Sequence, residues 1–111
     1  MKKIALPVVD GKLSPHFGHC QHFEIFDVEN NKIIEKTVAI SPPHEPGILP
    51  GWLAEKGVTD IIAGGMGQRA IGLFNQNNIN AYVGAQIKEP KELVLDFIKG
   101  TLETSANLCD H

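Results

Sequence analysis

The feature that most constrains this chain is the alternation that begins after Gly57. Thr59 to Ala63 is an apolar run, and Gly64-Gly65-Met66-Gly67 is a glycine-rich turn. Gln68 to Asn77 then carries Ala70, Ile71, Leu73 and Phe74 at helical spacing. A short apolar run, Ala81-Tyr82-Val83, follows. Pro90 next suits the first position of a helix reaching Lys99, with Gly100 beyond its end. Leu93, Val94, Phe97 and Ile98 would form that helix's buried stripe. Strands separated by helices pair in parallel, and a parallel sheet needs helices on its faces.

The first half reads differently. Ile4 to Val9 is a buried strand closed by the turn pair Asp10-Gly11. Lys12 to Gln21 is polar, holds Pro15 and Gly18, and reads as a loop. His22 to Val28 and Lys32 to Ile40 are β-rich runs joined by Glu29-Asn30-Asn31, the signature of an antiparallel hairpin. Three prolines bar Ser41 to Gly47 from regular structure, and a short helix is expected between Ile48 and Lys56. The order β-β-β-α-β-α-β-α predicts an α/β fold: a ribonuclease H-like, mixed five-stranded sheet in the order 3-2-1-4-5, with helices on both faces. Ligands of such sheets bind outside the carboxyl ends of the parallel strands. The loop after strand 1 and the glycine turn after strand 4 are therefore expected to be neighbours.

A chain of 111 residues fits one domain, here 1–100, followed by a tail, 101–111, without a clear period. The net charge of −3 argues against a nucleic-acid surface. No apolar run approaches the ~20 residues of a membrane span, and the apolar start is too short for a signal peptide. The expected location is cytoplasmic, where two cysteines are free thiols or ligands rather than a disulfide.

Chemistry concentrates in His16-Phe17-Gly18-His19-Cys20-Gln21-His22, which holds three of the five histidines and one of the two cysteines. Imidazole and thiolate suit soft and borderline transition metals. Strand alternation would send Cys20 and His22 to one side, with His16 approaching across the loop. His44 in the proline-rich loop is a further candidate. So is the pair in Cys109-Asp110-His111, which would fold back onto the same centre, form a second contact or do nothing. No paired Cys-x-x-Cys knuckles are present, so an open, exchangeable site is expected rather than a closed structural one. The competing reading is a polar, histidine-rich loop that binds no metal.

Residues 65–70, Gly-Met-Gly-Gln-Arg-Ala, match the Gly-x-Gly-x-x-Ala spacing of dinucleotide loops. The acid that would hold a ribose is missing after the next strand, and the turn lacks the ending of a phosphate-binding P-loop. What remains is a helix N-terminus behind small residues, which favours an anion at Gly64, Gly65, Met66, Gly67 and Gln68. A tight turn needing glycine for backbone reasons explains the same residues. Catalytic constellations are weak. Asp10 is well placed at the end of strand 1, but Asp60 falls at the wrong end of strand 4, and no strained nucleophile turn is present.

Met1-Lys2-Lys3-Ile4-Ala5-Leu6-Pro7-Val8, Ser14-Pro15-His16-Phe17-Gly18 and the stretch from Gly57 to Gly67 together resemble the dinitrogenase iron–molybdenum cofactor biosynthesis family, from Met1 to about Gly100. The resemblance implies a ribonuclease H-like domain that binds, carries or inserts an iron–sulfur or molybdenum-containing cluster, or its precursor, without being an enzyme. It implies His16 as a cluster ligand and Gly64 to Gly67 as part of the pocket. Cys20 and Cys109-Asp110-His111 lie outside the minimal family pattern and resemble a branch of small stand-alone proteins not confined to nitrogen fixation. The expected cargo is an iron–sulfur, iron–molybdenum or thiomolybdate-type cluster. Expected partners are cluster donor or acceptor proteins, the chain itself being a monomer or weak dimer. A small-anion-binding regulatory module is the alternative, and a metal-dependent hydrolase a more distant one.

Overall fold

The computed structural model describes residues 2–15, 22–40, 48–102 and 104. Their elements are β1 (Lys2–Val9), β2 (Lys12–Leu13), β3 (His22–Glu29), β4 (Lys32–Ile40), α1 (Ile48–Glu55), β5 (Asp60–Ile62), α2 (Gln68–Gln76), β6 (Asn80–Tyr82) and α3 (Pro90–Lys99). The sheet runs β4-β3-β1-β5-β6, with β2 paired to β1 off this path. β1 is antiparallel to β3 and parallel to β5, so it joins an antiparallel half to a parallel half.

The sheet has six strands rather than the expected five. β2 lies within the segment read from sequence as a loop, and its insertion changes the strand numbering. The five longer strands keep the relative order anticipated for them. The cause is the Asp10-Gly11 pair, whose φ values of 52° and 79° are both left-handed. That backbone makes the two-residue turn that twists with a hairpin, so the chain folds straight back to pair Val9 with Lys12 and Val8 with Leu13. Asn30 and Asn31 build the β3–β4 turn in the same way, with φ values of 53° and 60°.

Strand alternation divides the core between the two faces of the sheet. Ala5, Phe23, Ile25 and Ile61 face α1 and α2, packing with Leu53 and Phe74. Ile4, Leu6, Phe26 and Ile62 face α3, packing with Leu93 and Val94. Burying side chains of this size contributes roughly 1.5–3 kcal/mol each, so neither face is dispensable. Gly100 ends α3 in the left-handed conformation, with φ 74°.

Asp60 is buried at the amino end of β5 on the α3 face. The Thr59 hydroxyl donates to its Oδ2 at 2.7 Å, and Asn80 Nδ2 donates to its Oδ1 at 3.3 Å. This carboxylate fastens β5 to β6 at the edge opposite the candidate site, as its position at the wrong strand end for catalysis foretold.

Candidate functional site

Three connections converge at the carboxyl edge of the parallel strands. β2 continues the hydrogen-bonding slot beyond the end of β5, and Ser14 N–H donates to the Pro7 carbonyl at 2.8 Å. The chain leaving β5 cannot run straight on, because that slot is filled, and it turns at Gly64. A Cβ at Gly64 would stand 3.1 Å from the Ser14 carbonyl oxygen, 3.2 Å from Pro15 Cα and 3.2 Å from Ile87 Cδ1. Glycine is required here by close backbone approach, not by its φ. The connection after β6 completes the cluster: Gly84 N–H donates to Gly64 O at 2.9 Å and Ala85 N–H to Ala63 O at 3.2 Å. Leu13 N–H in turn donates to Lys88 O at 2.9 Å. The glycine turn thus lies against Ser14 and Pro15, the stem from which residues 16–21 depart.

The segment 16–21 rejoins the described chain at His22, which sits opposite Val8 on β1 and opposite Ile40 on β4. Ile40 in turn leads into residues 41–47. His16, Cys20, His44, Cys109 and His111 all lie outside the described residues. Of the proposed metal ligands only His22 is described. Its Nε2 lies 3.4 Å from Glu24 Oε2, while Lys36 Nζ lies 3.8 Å from the other oxygen of Glu24. This trio is on the α3 face, where Glu24 lines a groove of about 440 Å³ with Phe26, Ile33, Lys36, Pro90 and Lys91. The glycine turn instead leads towards α2 on the other face. Among the described residues no three His, Cys, Asp or Glu side chains gather as a metal would require.

Within the turn the roles divide. Met66 is buried and packs in the core beneath α1 and α2, so its side chain serves packing. Gly67 is the N-cap of α2, extended at φ −66° and ψ 154°, with no side-chain cap bond and no acid in the first turn. The first helical bond, Ile71 N–H to Gly67 O at 3.1 Å, leaves the amides of Gln68, Arg69 and Ala70 without intrahelical partners. Arg69, the chain's single arginine, is exposed there. Charge and helix dipole are therefore both positive at this corner. Sequence reasoning passed over Arg69, although its place directly after the glycine turn was readable. It reads Ser14 only as the start of the Ser14-Pro15-His16-Phe17-Gly18 motif, not as the residue whose backbone forms the contact with Gly64.

Fold and site together define a small α/β protein in which a glycine turn, leading into a helix N-terminus without a side-chain cap, abuts Ser14 and Pro15 at one edge of a mixed sheet. The chain belongs to the dinitrogenase iron-molybdenum cofactor family, which it matches over residues 1–100. It is 37% identical over 108 residues to the uncharacterized protein MJ0580 of Methanocaldococcus jannaschii, covering 93% of this chain and 91% of that one. Its structure is similar to that of PH0822, with a TM-score of 0.86 at 28% identity over 93% of this chain and 94% of the other. The apo form of the orange protein from Desulfovibrio gigas shares the fold, with a TM-score of 0.77 at 21% identity over 96% and 95% of the two chains. No helix among the described residues is long and apolar enough to cross a membrane.

Proposed function

We propose that this protein is a non-catalytic carrier for a metal–sulfur cluster or its precursor, of the iron–sulfur, iron–molybdenum or thiomolybdate type. The observation that carries the reading is the contact of Gly64 with Ser14 and Pro15. It sets the turn ahead of α2 beside the stem of the segment that bears His16 and Cys20. The Cys20 thiolate and the His16 imidazole bind the metal, since soft sulfur and borderline nitrogen donors suit it. The amides that open α2 without intrahelical partners, with Arg69 beside them, offset the negative charge of the cargo. His44 assists from the neighbouring segment. The ring of His22 is engaged with Glu24 on the α3 face, away from the glycine turn, so His22 is assigned no leading role. Two or three ligands at an open edge release cargo readily, as transfer to an acceptor protein requires. The protein acts in the cytoplasm.

The experiment is metal and sulfide analysis, with an optical spectrum, of untagged protein prepared without oxygen. Iron plus sulfide, and separately tetrathiomolybdate, are the probes. A stoichiometric chromophore that Cys20→Ala abolishes without loss of folding supports the carrier. Full occupancy in Cys20→Ala removes the thiolate from the mechanism. The uncapped α2 N-terminus favours one other reading, a small-anion-binding module. That reading predicts tetrathiomolybdate or phosphate binding that Arg69→Ala weakens and Cys20→Ala leaves alone.

A further inference from the structure

We infer that two copies of this chain pair through β4, antiparallel and in a register centred on Thr37, so that their sheets join edge to edge. β4 is the outer strand beyond β3, and among the described residues nothing pairs with its free side. It is nine residues long, the longest described strand, where about 5–6 is usual. Ile34, Val38 and Ile40 are 54%, 52% and 73% exposed, half of the large apolar side chains that lie exposed among the described residues. A long edge of this kind is a template for another strand. Bulges blunt such edges, but the irregularity here lies between Asp27 and Val28, and pairing with β3 is regular over residues 35–40 of β4.

Charge decides what fits this edge. In a two-fold antiparallel pair opposite residues share a face, so odd positions meet odd ones and even meet even, and the axis passes through a residue. An axis at Glu35 would oppose two glutamates and one at Lys36 two lysines, while one at Ile34 would bring Lys32 against Lys36. Like charges directly opposite are destabilising. An axis at Val38 pairs only residues 36–40. Centred on Thr37, residues 34–40 all find partners and no charge meets its like. Thr37 meets Thr37 of the second copy, a favoured cross-strand pair, and Ile34 meets Ile40. Glu35 meets Ala39. Lys36 meets Val38, on which its stem can lie while its Nζ stays 3.8 Å from Glu24. The strand thus complements itself, which favours a second copy over a foreign segment. Pairing over residues 34–40 makes a contact about 24 Å long and one strand wide, short of the roughly 800 Å² per partner of a stable interface. The dimer is therefore weak and concentration-dependent. Because the two β4 strands run opposite ways, the carboxyl edges of the two copies point in opposite directions, and neither covers the other.

Sedimentation equilibrium of the full-length chain under reducing conditions is the first arm of the test. The average mass should rise from one chain towards two between about 10 μM and about 1 mM. Val38→Lys sets a lysine opposite Lys36 of the second copy, yet beside its own Glu24, which lies across from position 38. It should weaken association by about tenfold and leave the urea midpoint of the single chain unchanged. The second arm reads the register in a Cys20→Ala, Cys109→Ala background. Thr37→Cys should form an intermolecular disulfide on diamide oxidation, since directly opposite Cα atoms stand about 4.5–5.5 Å apart. Lys36→Cys should not, because its two copies are diagonal neighbours, beyond the ~7 Å that a disulfide spans. A chain that stays single across the concentration range overturns the inference. Association that Val38→Lys leaves unchanged does so too, as does cross-linking of Lys36→Cys as readily as of Thr37→Cys.

Discussion

Gly64→Ala tests the contact on which the site depends. The new methyl meets Ser14 O at 3.1 Å, Pro15 Cα at 3.2 Å and Ile87 Cδ1 at 3.2 Å. Comfortable contacts between carbons begin near 3.5 Å, so three neighbours are each too close by a few tenths of an ångström. Ile87 is largely exposed, and its side chain can swing away. Ser14 and Pro15 offer backbone atoms, and Ser14 is held by its own hydrogen bond to Pro7 O at 2.8 Å. Overpacking of this kind costs about 1–3 kcal/mol. With one of three contacts able to relax, a loss of about 1–2 kcal/mol is expected, or roughly 5–10 °C in Tm for a domain of this size. Urea unfolding serves as the assay, followed by the fluorescence of Trp52, whose ring lies 5.7 Å from that of Phe23. The midpoint should fall with the slope unchanged, and cluster loading should weaken in parallel. If stability stays within about 0.5 kcal/mol of the parent, the range of an ordinary surface change, the stem is not pressed onto the turn and the argument for a shared site fails.

Gly72→Ala should do the opposite. Its Cβ would meet nothing within 4 Å in the middle of α2, so removing the glycine's backbone entropy should stabilise the protein by about 0.5–1 kcal/mol; a lower urea midpoint would refute this. Tyr82, the chain's only tyrosine, has its phenol raised above 10.0 by burial first and by the Asp60 charge second. A phenol raised in the folded state contributes stability that is present below pH 10.0 and lost as pH climbs through the folded pKa. Near-ultraviolet phenolate absorbance should therefore titrate later in folded than in urea-unfolded protein. Asp60→Asn should bring the folded midpoint partway back, since burial remains; no movement at all would remove Asp60 as a cause.

Much of this fold was legible because its signals are local. Asn30-Asn31 announces a turn that needs two left-handed residues, and both adopt them. Pro90 and Gly100 bracket α3 as expected, and Ile4 to Val9 lies in the buried strand expected of it. β2 was hidden by its brevity: two residues show no period, although Asp10-Gly11 carried the hairpin signal. The site was legible only in outline. That the glycine turn neighbours the stem follows from topology, yet no pattern marks Gly64 as the glycine that must lack a side chain. Nor does Gly-Gly-Met-Gly reveal that Met66 turns inward, because a single apolar residue among glycines has no periodicity to place it. The pairing of His22 with Glu24 follows from their shared strand face, but the reach of a ring towards a carboxylate is a matter of rotamers, which sequence does not fix.

The position of β1 between the two halves has a kinetic consequence. On one side it borders a hairpin whose β3 and β4 are joined by a two-residue turn. On the other it meets partners far along the chain: Thr59 bonds to Lys3 across 56 residues. Local hairpins close before such distant strands pair, because loop closure must precede the contacts that reward it. Ser14 follows the local β1–β2 pairing and Gly64 follows the distant β5, so the edge that would hold cargo is expected to form after the folding barrier has been crossed. Mutations there should quicken unfolding and leave the folding rate nearly unchanged. Stopped-flow refolding of Gly64→Ala that proved slower than the parent would place β5 in the folding nucleus instead. A site assembled this late is also the first to open, and the half-life of bound cargo would then be set by local unfolding at this edge as well as by bond strength.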